Sequence, residues 1–183
     1  MDAKKSVSSP ECEVFDPEPQ LPLPWYGLRV RTLGEPKLKK ILSYKGHEVF
    51  LPTYVNVRRY TDRVKKVNEA LFPGYLFCRL DAKHRLSILT TPGVESIVSV
   101  AGVPQSIAEQ EIDSIRQVVD SGAPAIPWPY IQTGDRVRIE FGSLKGIEGL
   151  LTGVRGSERL ILSIHLLQRS IAIEIDRSWV RPI

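Results

Sequence analysis

The chain has 183 residues, of which 42% are apolar and 25% are charged, and its pI is near 9.1. This length allows one ordinary domain or two small ones. Since no apolar run approaches the ~18 residues that cross a bilayer and no secretion signal opens the chain, we expect a cytoplasmic protein without membrane segments.

The first 24 residues form a distinct acidic segment. They have a net charge of -3 and contain Pro10, Pro17, Pro19, Pro22 and Pro24 among few apolar residues. Such a composition cannot bury enough apolar surface to offset the entropy lost on ordering. We predict a disordered, acidic, proline-rich tail over residues 1–24.

Residues 25–120 carry a net charge of +5 and predict elements in the order βαββαβα. Apolar residues alternate over 25–31, 48–54, 76–80 and 94–100, which indicates strands, and recur at helical spacing over 36–45, 83–89 and 107–119. The polar residues 56–69 suit a solvated hairpin or loop. Helices covering one face of an antiparallel sheet would make this domain an α+β sandwich.

Residues 121–132 contain Pro124, Pro127 and Pro129 and no charged residue, which indicates a semi-rigid linker. After it, apolar residues alternate at Val137 and Ile139 and again over 171–175, with glycines at short intervals between. This pattern predicts a small all-β barrel over residues 133–183. The apolar stretch 160–169 also suits a helix, so a helical form of this module stays open.

Two blocks of sequence carry a family resemblance. The first comprises Trp-Tyr at 25–26, Phe-Leu-Pro at 50–52 and Leu-Phe-Pro-Gly-Tyr-Leu-Phe at 71–77. The second comprises Gly-Asp-Arg-Val-Arg-Ile at 134–139 and Phe-Gly-Ser-Leu-Lys-Gly-Ile-Glu-Gly at 141–149. In this order they resemble the N-terminal (NGN) domain and the KOW motif of NusG-type transcription elongation factors.

The resemblance implies that the first domain binds the clamp helices of RNA polymerase through an apolar groove. By position, Tyr75 and Phe77 would line this groove, with Val100 and Ile112 as further candidates. Tyr75 and Phe77 alternate with Leu76 and so share one sheet face. The alternative is that both aromatic residues belong to the core of the domain.

Two further sets of positions match contacts that the family resemblance implies. His84 and Arg85 fall where some members contact the opposite pincer of the polymerase. The second set matches positions that face non-template DNA in specialised relatives: Arg31, Tyr44, Lys45 and Thr91. Solvated surface side chains are the alternative for both sets.

A basic cluster occupies nine positions of the polar stretch, with Tyr60 inside it: Arg58, Arg59, Arg63, Lys65 and Lys66. Such a cluster can contact the phosphates of DNA or nascent RNA, with strongly salt-dependent binding. It can equally contact a polymerase surface or only keep a loop soluble.

In the last module, Leu166, Leu167 and Arg169 match positions that contact a small-subunit ribosomal protein and the termination factor Rho. Leu167 replaces the aromatic residue common there, which argues against Rho. Because neighbours on a strand face opposite ways, one of the two leucines is alternatively a core residue.

Neither catalysis nor metal binding finds support in the sequence. We find no nucleophile with a histidine motif, phosphate loop or HExxH motif, and two Cys with three His cannot build a usual zinc site. We expect no cofactor and a monomer.

The predicted function is a transcription elongation factor. The acidic tail, Leu71-Phe72 and Leu167 favour a specialised antiterminator resembling RfaH, UpxY or LoaP over a housekeeping factor. A KOW-type RNA-binding or ribosome-associated protein that does not act through polymerase is the alternative.

Overall fold

The computed structural model describes residues 22–59, 63–132, 134–154 and 157–183, without the side chains of residues 59, 154 and 157. Except for residues 22–24, the predicted tail lies outside the described residues. The N-terminal part contains β1 Trp25–Val30, α1 Glu35–Tyr44, β2 Val49–Phe50, β3 Thr53–Arg59, β4 Val64–Ala70, β5 Tyr75–Arg79, α2 Leu86–Leu89, β6 Val94–Ile97, β7 Ser99–Val100, β8 Val103–Pro104, β9 Ser106–Ile107 and α3 Glu109–Ser121.

The C-terminal part consists of strands: β10 Ala125–Pro129, β11 Asp135–Ile139, β12 Glu148–Val154, β13 Ser157–Ile164, β14 Arg169–Glu174 and β15 Val180–Pro182. Short 3-10 turns lie at Ala82–His84, His165–Leu167 and Arg177–Trp179. Within the described ranges, no helix has the length and apolar character to cross a membrane.

The N-terminal sheet is antiparallel and has the strand order β2-β5-β1-β6, with β9 also paired to β1. Strands β3 and β4 form a separate hairpin, as do the short strands β7 and β8. In β1 the alternate residues Tyr26 and Leu28 pack with Leu38 and Leu42 of α1. Trp25 and Phe77 belong to the opposite face, which α3 covers with Ile112, Ile115 and Val118.

The C-terminal sheet is antiparallel, with the order β10-β14-β13-β12-β11-β15. Alternate side chains build its interior, including Leu160 and Leu162 on β13 and Ile171 and Ile173 on β14. The predicted fold class, an α+β domain followed by a small all-β domain, is confirmed. Residues 160–169 adopt strand and 3-10 structure in this conformation, and not the helical alternative.

The segment that we predicted as a linker has structure of its own. Residues 125–129 form strand β10, where Pro127 lies opposite Ile171 and Pro129 opposite Arg169 of β14. Both prolines are tolerated because β10 is the edge of the sheet, where a missing N–H breaks no inner ladder. The exact domain bounds remain a prediction.

Candidate functional site

The candidate site is the sheet face of the N-terminal domain that carries Phe77. This side chain is fully buried, and its ring makes an edge contact with Phe72, with ring centroids 5.5 Å apart. Phe50 lies on its other side at 6.2 Å. Tyr75 is half-buried and packs against the same apolar cluster. The two predicted groove residues therefore share one aromatic face.

A turn before β5 fixes the position of this aromatic face. Gly74 has a φ of +80°, which few side chains tolerate, and its N–H donates to the buried carboxylate of Glu35 at 2.9 Å. The carbonyl of Gly74 accepts from Val30 N at 2.9 Å. The Pro-Gly turn is thus tied to α1 and β1, and β5 starts in a defined register. Glu35, the first residue of α1, therefore links the start of this helix to the turn before β5.

The C-terminal domain packs over this face. A Cβ atom built on Gly27, which lies opposite Phe77 on β1, would approach Leu167 Cδ2 to 3.0 Å. Leu167 is 7% exposed and belongs to the same apolar cluster as Phe77 and the interior of the C-terminal sheet. In this conformation the aromatic face is therefore closed to an external partner.

Polar bonds between α3 and the C-terminal domain accompany the apolar contact. Gln117 Nε2 donates to the backbone carbonyls of Ser143 at 2.8 Å and Lys145 at 3.4 Å. Glu111 lies 2.6 Å from His165 Nδ1, at the turn that carries Leu167. Neither Glu111 nor Gln117 was identified from the sequence, because nothing local distinguishes these residues from other polar residues on a helix surface.

Charged side chains line one edge of the aromatic face. Arg79 bridges Glu48 and Glu109 and lies over the ring of Trp25, 4.6 Å from its centroid. Burial raises the pKa of Glu109, but hydrogen bonds from Arg79 and from Trp25 outweigh it and leave the pKa below its ordinary value. Glu109 therefore stays ionised at neutral pH and anchors the start of α3 to β1.

The other two predicted groove residues, Val100 and Ile112, lie in different parts of the structure. Ile112 is fully buried on the inner side of α3, so it supports the helix and does not line an open groove. Val100 is 56% exposed on the β7–β8 hairpin and is not part of the buried cluster. In this conformation Val100 and Ile112 therefore do not share one open groove with Phe77, and their contact with polymerase stays a prediction.

His84 and Arg85 lie in an exposed turn outside the aromatic face. His84 Nδ1 lies 2.7 Å from the Asp81 carboxylate, which also accepts from Lys83 N at 2.8 Å. The backbone bond from Lys83, followed by the bond with His84, lowers the pKa of Asp81. Arg85 donates to Ala82 O at 3.0 Å. The side chains of His84 and Arg85 are both exposed at the surface.

The predicted DNA-facing residues lie on both sides of α1: Arg31 precedes the helix, whereas Tyr44 and Lys45 lie at its C-terminal end, close to Thr91. Lys45 Nζ donates to Thr91 Oγ1 at 2.8 Å and to Ser87 O at 2.9 Å, and the backbone of Arg31 bonds to Gly93. Tyr44 beside them is 94% exposed. Thr91 is buried and its hydroxyl donates to Ser87 O, so it is a structural residue and the prediction that it faces a ligand is corrected.

The basic cluster lies on the β3–β4 hairpin and is divided between its faces. Arg58 stands opposite Lys65, whereas Lys66 stands opposite Val57, so Lys66 projects from the other face. Tyr60 and the side chain of Arg59 lie outside the described residues, and Arg63 directly precedes β4. The predicted cluster is therefore not one continuous surface.

A carboxylate organises one face of this hairpin. Glu69 accepts from Asn56 at 2.9 Å, from Arg58 Nε at 2.9 Å and from Tyr54 at 3.2 Å. The bonds from Asn56 and Arg58 lower the pKa of Glu69, and burial raises the pKa of Tyr54. Arg58 is thus part of a structural network.

The predicted partner-binding residues of the last domain lie around the 3-10 turn at 165–167. Leu167 faces Gly27 and is buried, Leu166 is half-buried, and Arg169 is exposed at the start of β14. The two leucines belong to a turn and not to a strand, which corrects the strand alternative. Leu167 is occupied by the domain contact in this conformation.

The side chains that could ligate a metal ion are dispersed among the described residues. Across the described ranges, no group of three or more His, Cys, Asp or Glu side chains is arranged to hold a metal ion. Burial raises the pKa of Cys78 to about 12, so its thiol is protonated at neutral pH.

Comparisons with known proteins fit this arrangement. The family model described as "Transcription termination factor nusG" matches residues 23–116. The "Transcription termination/antitermination protein NusG" of Lactococcus lactis is 28% identical over 173 residues, covering 87% of this chain and 92% of the relative. That of Thermus thermophilus is 26% identical over 179 residues, covering 85% and 96%.

A solved structure shares the fold. The structure described as "Domain interaction in Thermotoga maritima NusG" matches with a TM-score of 0.51 and 21% identity, covering 87% of this chain and 97% of that one. Because the family model extends over more than half of the 183 residues, the chain belongs to the NusG family.

Proposed function

We propose that this protein is a transcription termination and antitermination factor that binds RNA polymerase through the aromatic face around Tyr75 and Phe77. The observation that carries the proposal is an aromatic sheet face that helix α3 and a separate domain cover together. The similarity to NusG proteins named for termination and antitermination supports the proposed role in transcription. An apolar concave face suits the apolar stripe of a helix pair such as the polymerase clamp helices.

Binding would require the C-terminal domain to move. Since Leu167 packs on Gly27, opposite Phe77, the clamp helices and the C-terminal domain would compete for the part of this face that Leu167 covers. The affinity measured for polymerase is then the affinity of the open form multiplied by the fraction of molecules that are open. The mechanism is not chemical, because a factor that binds the elongating state more tightly than other states shifts its population.

The released C-terminal domain would present Leu166, Leu167 and Arg169 to a second partner. A small-subunit ribosomal protein is our candidate, and Leu167 in place of an aromatic residue argues against Rho. Because Leu167 is buried in the closed form, this partner and the closed form exclude one another. Binding to polymerase would therefore favour binding of the second partner.

Within the family we propose a specialised antiterminator, supported by the acidic N-terminal segment, Leu71-Phe72 and Leu167. Exposed Tyr44, Arg31 and Lys45 are candidates to contact a displaced DNA strand at its edge. His84 and Arg85 are candidates for a second polymerase contact. Deleting the gene should change readthrough in a few long operons, and lethality with occupancy of most genes would contradict the specialised role.

The direct test measures binding of the full chain to purified clamp helices. Tyr75→Ala should weaken binding about tenfold or more, because truncated aromatic anchors commonly cost over 1 kcal/mol. Tyr75 is half-buried, so the variant should keep its fold, which thermal unfolding checks. Ile126→Ala, at an exposed position of the edge strand β10, is the control and should bind like the wild type.

The second candidate function is RNA or ribosome binding without polymerase, which the exposed lysines of the β3–β4 hairpin favour. If the wild-type chain fails to bind clamp helices even when its domains are separated, yet binds RNA, the polymerase model is wrong. Equal binding by wild type and Tyr75→Ala would leave the polymerase contact but place it outside the aromatic face.

A further inference from the structure

A cleft of about 740 Å³ lies at the junction of the two domains. Helix α3 lines one side of it with Gln110, Glu111 and Ser114, and strands β11, β12 and β13 line another. Tyr130, which lies between β10 and β11, adds an aromatic residue to the lining. We call this space the junction cleft. Its volume is in the range of sites that hold small organic ligands.

The sheet wall of the junction cleft is one row of residues across three strands. Ile161 of β13 lies opposite Leu150 of β12, and Leu150 lies opposite Arg136 of β11, so all three share one face of the sheet. Ile161 is 1% exposed and Leu150 is half-buried, whereas Arg136 is exposed. The wall is therefore an apolar surface with a guanidinium group at one end.

The two carboxylates of the lining already have partners, and the guanidinium group does not. Glu111 lies 2.6 Å from His165 Nδ1, and Glu148 accepts from Arg138 Nε at 2.8 Å. Across the described ranges, the side chain of Arg136 forms no hydrogen bond or ion pair. One positive charge of the cleft is thus left without a protein partner.

Two polar side chains of α3 face the same space. Gln110 and Ser114 both line the cleft and are four residues apart, so they lie on one face of the helix. Neither side chain makes a hydrogen bond within the part of the chain that the structure describes. Together with Arg136, they bring polar groups of both domains to one cleft, where a single ligand can bond to all of them.

We propose that the junction cleft binds a small aromatic carboxylate. The guanidinium group of Arg136 would hold the carboxylate through two parallel hydrogen bonds. The ring of the ligand would lie on Leu150 and Ile161, with Tyr130 as its aromatic neighbour. The polar side chains of α3 would bond to polar substituents on the ring.

The charges of the lining decide which anion fits. Arg136 supplies one positive charge, and the carboxylates of Glu111 and Glu148 belong to the same lining. A dianionic phosphate would meet these carboxylates as well as Arg136, and like charges repel at this range. A neutral ring would leave the guanidinium group without an anion. A single carboxylate on an apolar ring meets both conditions.

A ligand in this cleft would hold the two domains together. It would contact α3 and the C-terminal sheet at once, so it would bind the closed form and not the separated domains. Binding then stabilises the closed form by mass action. A small molecule could in this way keep the aromatic face around Phe77 covered. This regulatory step rests on the proposed function, whereas ligand binding itself does not.

The first test titrates the full chain with indole-3-acetate and follows backbone amides by NMR. The amides of residues 110–114, Leu150 and Ile161 should shift together, with a Kd of about 1 mM or below for a ligand of this size. Indole-3-acetamide keeps the ring but lacks the charge, and it should bind at least about tenfold more weakly. Phenyl phosphate, an aromatic dianion, should also bind more weakly than indole-3-acetate.

Two pairs of variants locate the ligand. Arg136→Ala should weaken binding of indole-3-acetate about 10- to 100-fold, because it removes charge-assisted hydrogen bonds. Arg181→Ala removes an exposed guanidinium group outside the cleft and should have no effect. Gln110→Ala should weaken binding about 2- to 10-fold, and Gln105→Ala is its matched control. Thermal unfolding should be similar for all four variants because these side chains are exposed.

A competition experiment tests the regulatory step. Indole-3-acetate should weaken binding of the wild type to clamp helices and should leave binding of Arg136→Ala unchanged. If the ligand binds without this effect, the regulatory step is wrong. A chain that binds indole-3-acetate but no clamp helices would support the ligand site and contradict the proposed function instead.

Three results would overturn the ligand site. The first is absence of amide shifts around the cleft with indole-3-acetate at about 10 mM. The second is equal binding by the wild type and Arg136→Ala, which would place the ligand elsewhere. The third is tighter binding of phenyl phosphate than of indole-3-acetate, which would contradict the ligand class.

Discussion

At position 27 the chain has no side chain, and Leu167 of the other domain fills the space. A methyl group there would approach Leu167 Cδ2 to 3.0 Å and Val98 Cγ2 to 3.1 Å, both tighter than ordinary contacts. The backbone of Gly27 is that of an ordinary strand, so its small size matters here and not its conformational freedom. A contact of this kind can be tested by changing both partners.

We predict that Gly27→Ala loosens the packing of the two domains, because Leu167 must shift to admit the methyl group. Adding Leu167→Ala should restore room, so the methyl group should cost less in the double variant, with a coupling of about 0.5–3 kcal/mol. Chemical denaturation gives the free energies, and NMR shifts of α3 and β13 amides report domain packing. Gly153→Ala, whose Cβ would meet open space, is the control. Additive effects would show that Gly27 and Leu167 do not interact.

Single residues also show where the sequence was informative. The aromatic character of the face could be predicted from Tyr75 and Phe77, because alternation places both on one side of β5. Their burial could not, because Gly27 and Leu167 lie far apart in the chain and nothing local to either indicates the contact. The DNA-facing position of Thr91 follows from the family resemblance, whereas its burial could not be predicted, because a threonine hydroxyl looks alike in sequence whether it faces solvent or Ser87 O.

At the scale of elements, the β3–β4 hairpin extends from the sheet and depends on its own cross-strand bonds. The Glu69 carboxylate accepts hydrogen bonds from Tyr54, Asn56 and Arg58 on one face of the hairpin. Because these bonds favour the ionised carboxylate, the pKa of Glu69 in the folded protein is below its ordinary value of 4.5. Their stabilisation is present above pH 4.5 and is lost as the pH falls through the lowered pKa.

We predict that the hairpin loosens in acid before the sheet core does. Amide hydrogen exchange over Thr53–Ala70 should speed up as the pH falls below about 4.5, after correction for intrinsic rates. Glu69→Gln should show faster exchange already at neutral pH and a weaker dependence on acid. Glu95→Gln removes a surface carboxylate paired with Arg29 and should leave the hairpin unchanged. A wild-type hairpin that stays equally protected at pH 3 would contradict this account.

Elements with strong periodicity could be predicted from the sequence, and short or proline-containing ones could not. Strand β1 and helices α1 and α3 follow from apolar spacing. The sequence predicts a linker where strand β10 lies, because Pro127 and Pro129 signal a break unless the strand lies at an edge, and edge position is a tertiary property. The two-residue strands β7 and β8 are too short for alternation to be visible, so the exposed hairpin position of Val100, which the family resemblance places in the groove, could not be predicted.

For the whole molecule, the closed arrangement rests on one apolar contact region and a few polar bonds. Gln117 donates to Ser143 O and Lys145 O, and Glu111 contacts His165. Interfaces of this type between domains resemble transient ones, so separation of the domains is an accessible state. The closed form then acts as a competitor that any partner of the aromatic face must displace.

We predict that Glu111→Ala with Gln117→Ala raises the affinity of the full chain for polymerase clamp helices. With about 1 kcal/mol for each of the two truncated side chains, the open fraction should rise roughly 30-fold, up to the point where most molecules are open. Isothermal titration calorimetry measures the affinity, and small-angle scattering should show a larger radius of gyration. Glu95→Ala with Gln105→Ala removes the same residue types outside the interface and is the matched control.

A result in which the opened variant binds no better would mean that the closed form does not limit access.

Coupling between the two ends of the protein is also reciprocal. If a ligand of Leu166 and Leu167 strengthens polymerase binding by some factor, polymerase must strengthen binding of that ligand by the same factor. Measuring both affinities with and without the other partner would check this.

The pairing of β10 with β14 determines how far the second domain can travel once released. Helix α3 ends at Ser121 and the sheet begins at Ala125, so only residues 122–124 are free between them. Three residues span at most about 11 Å, which acts as a short tether and keeps the local concentration of each domain near the other high. Detaching β10 would extend this tether to Asp135 and widen the volume that the domain can search.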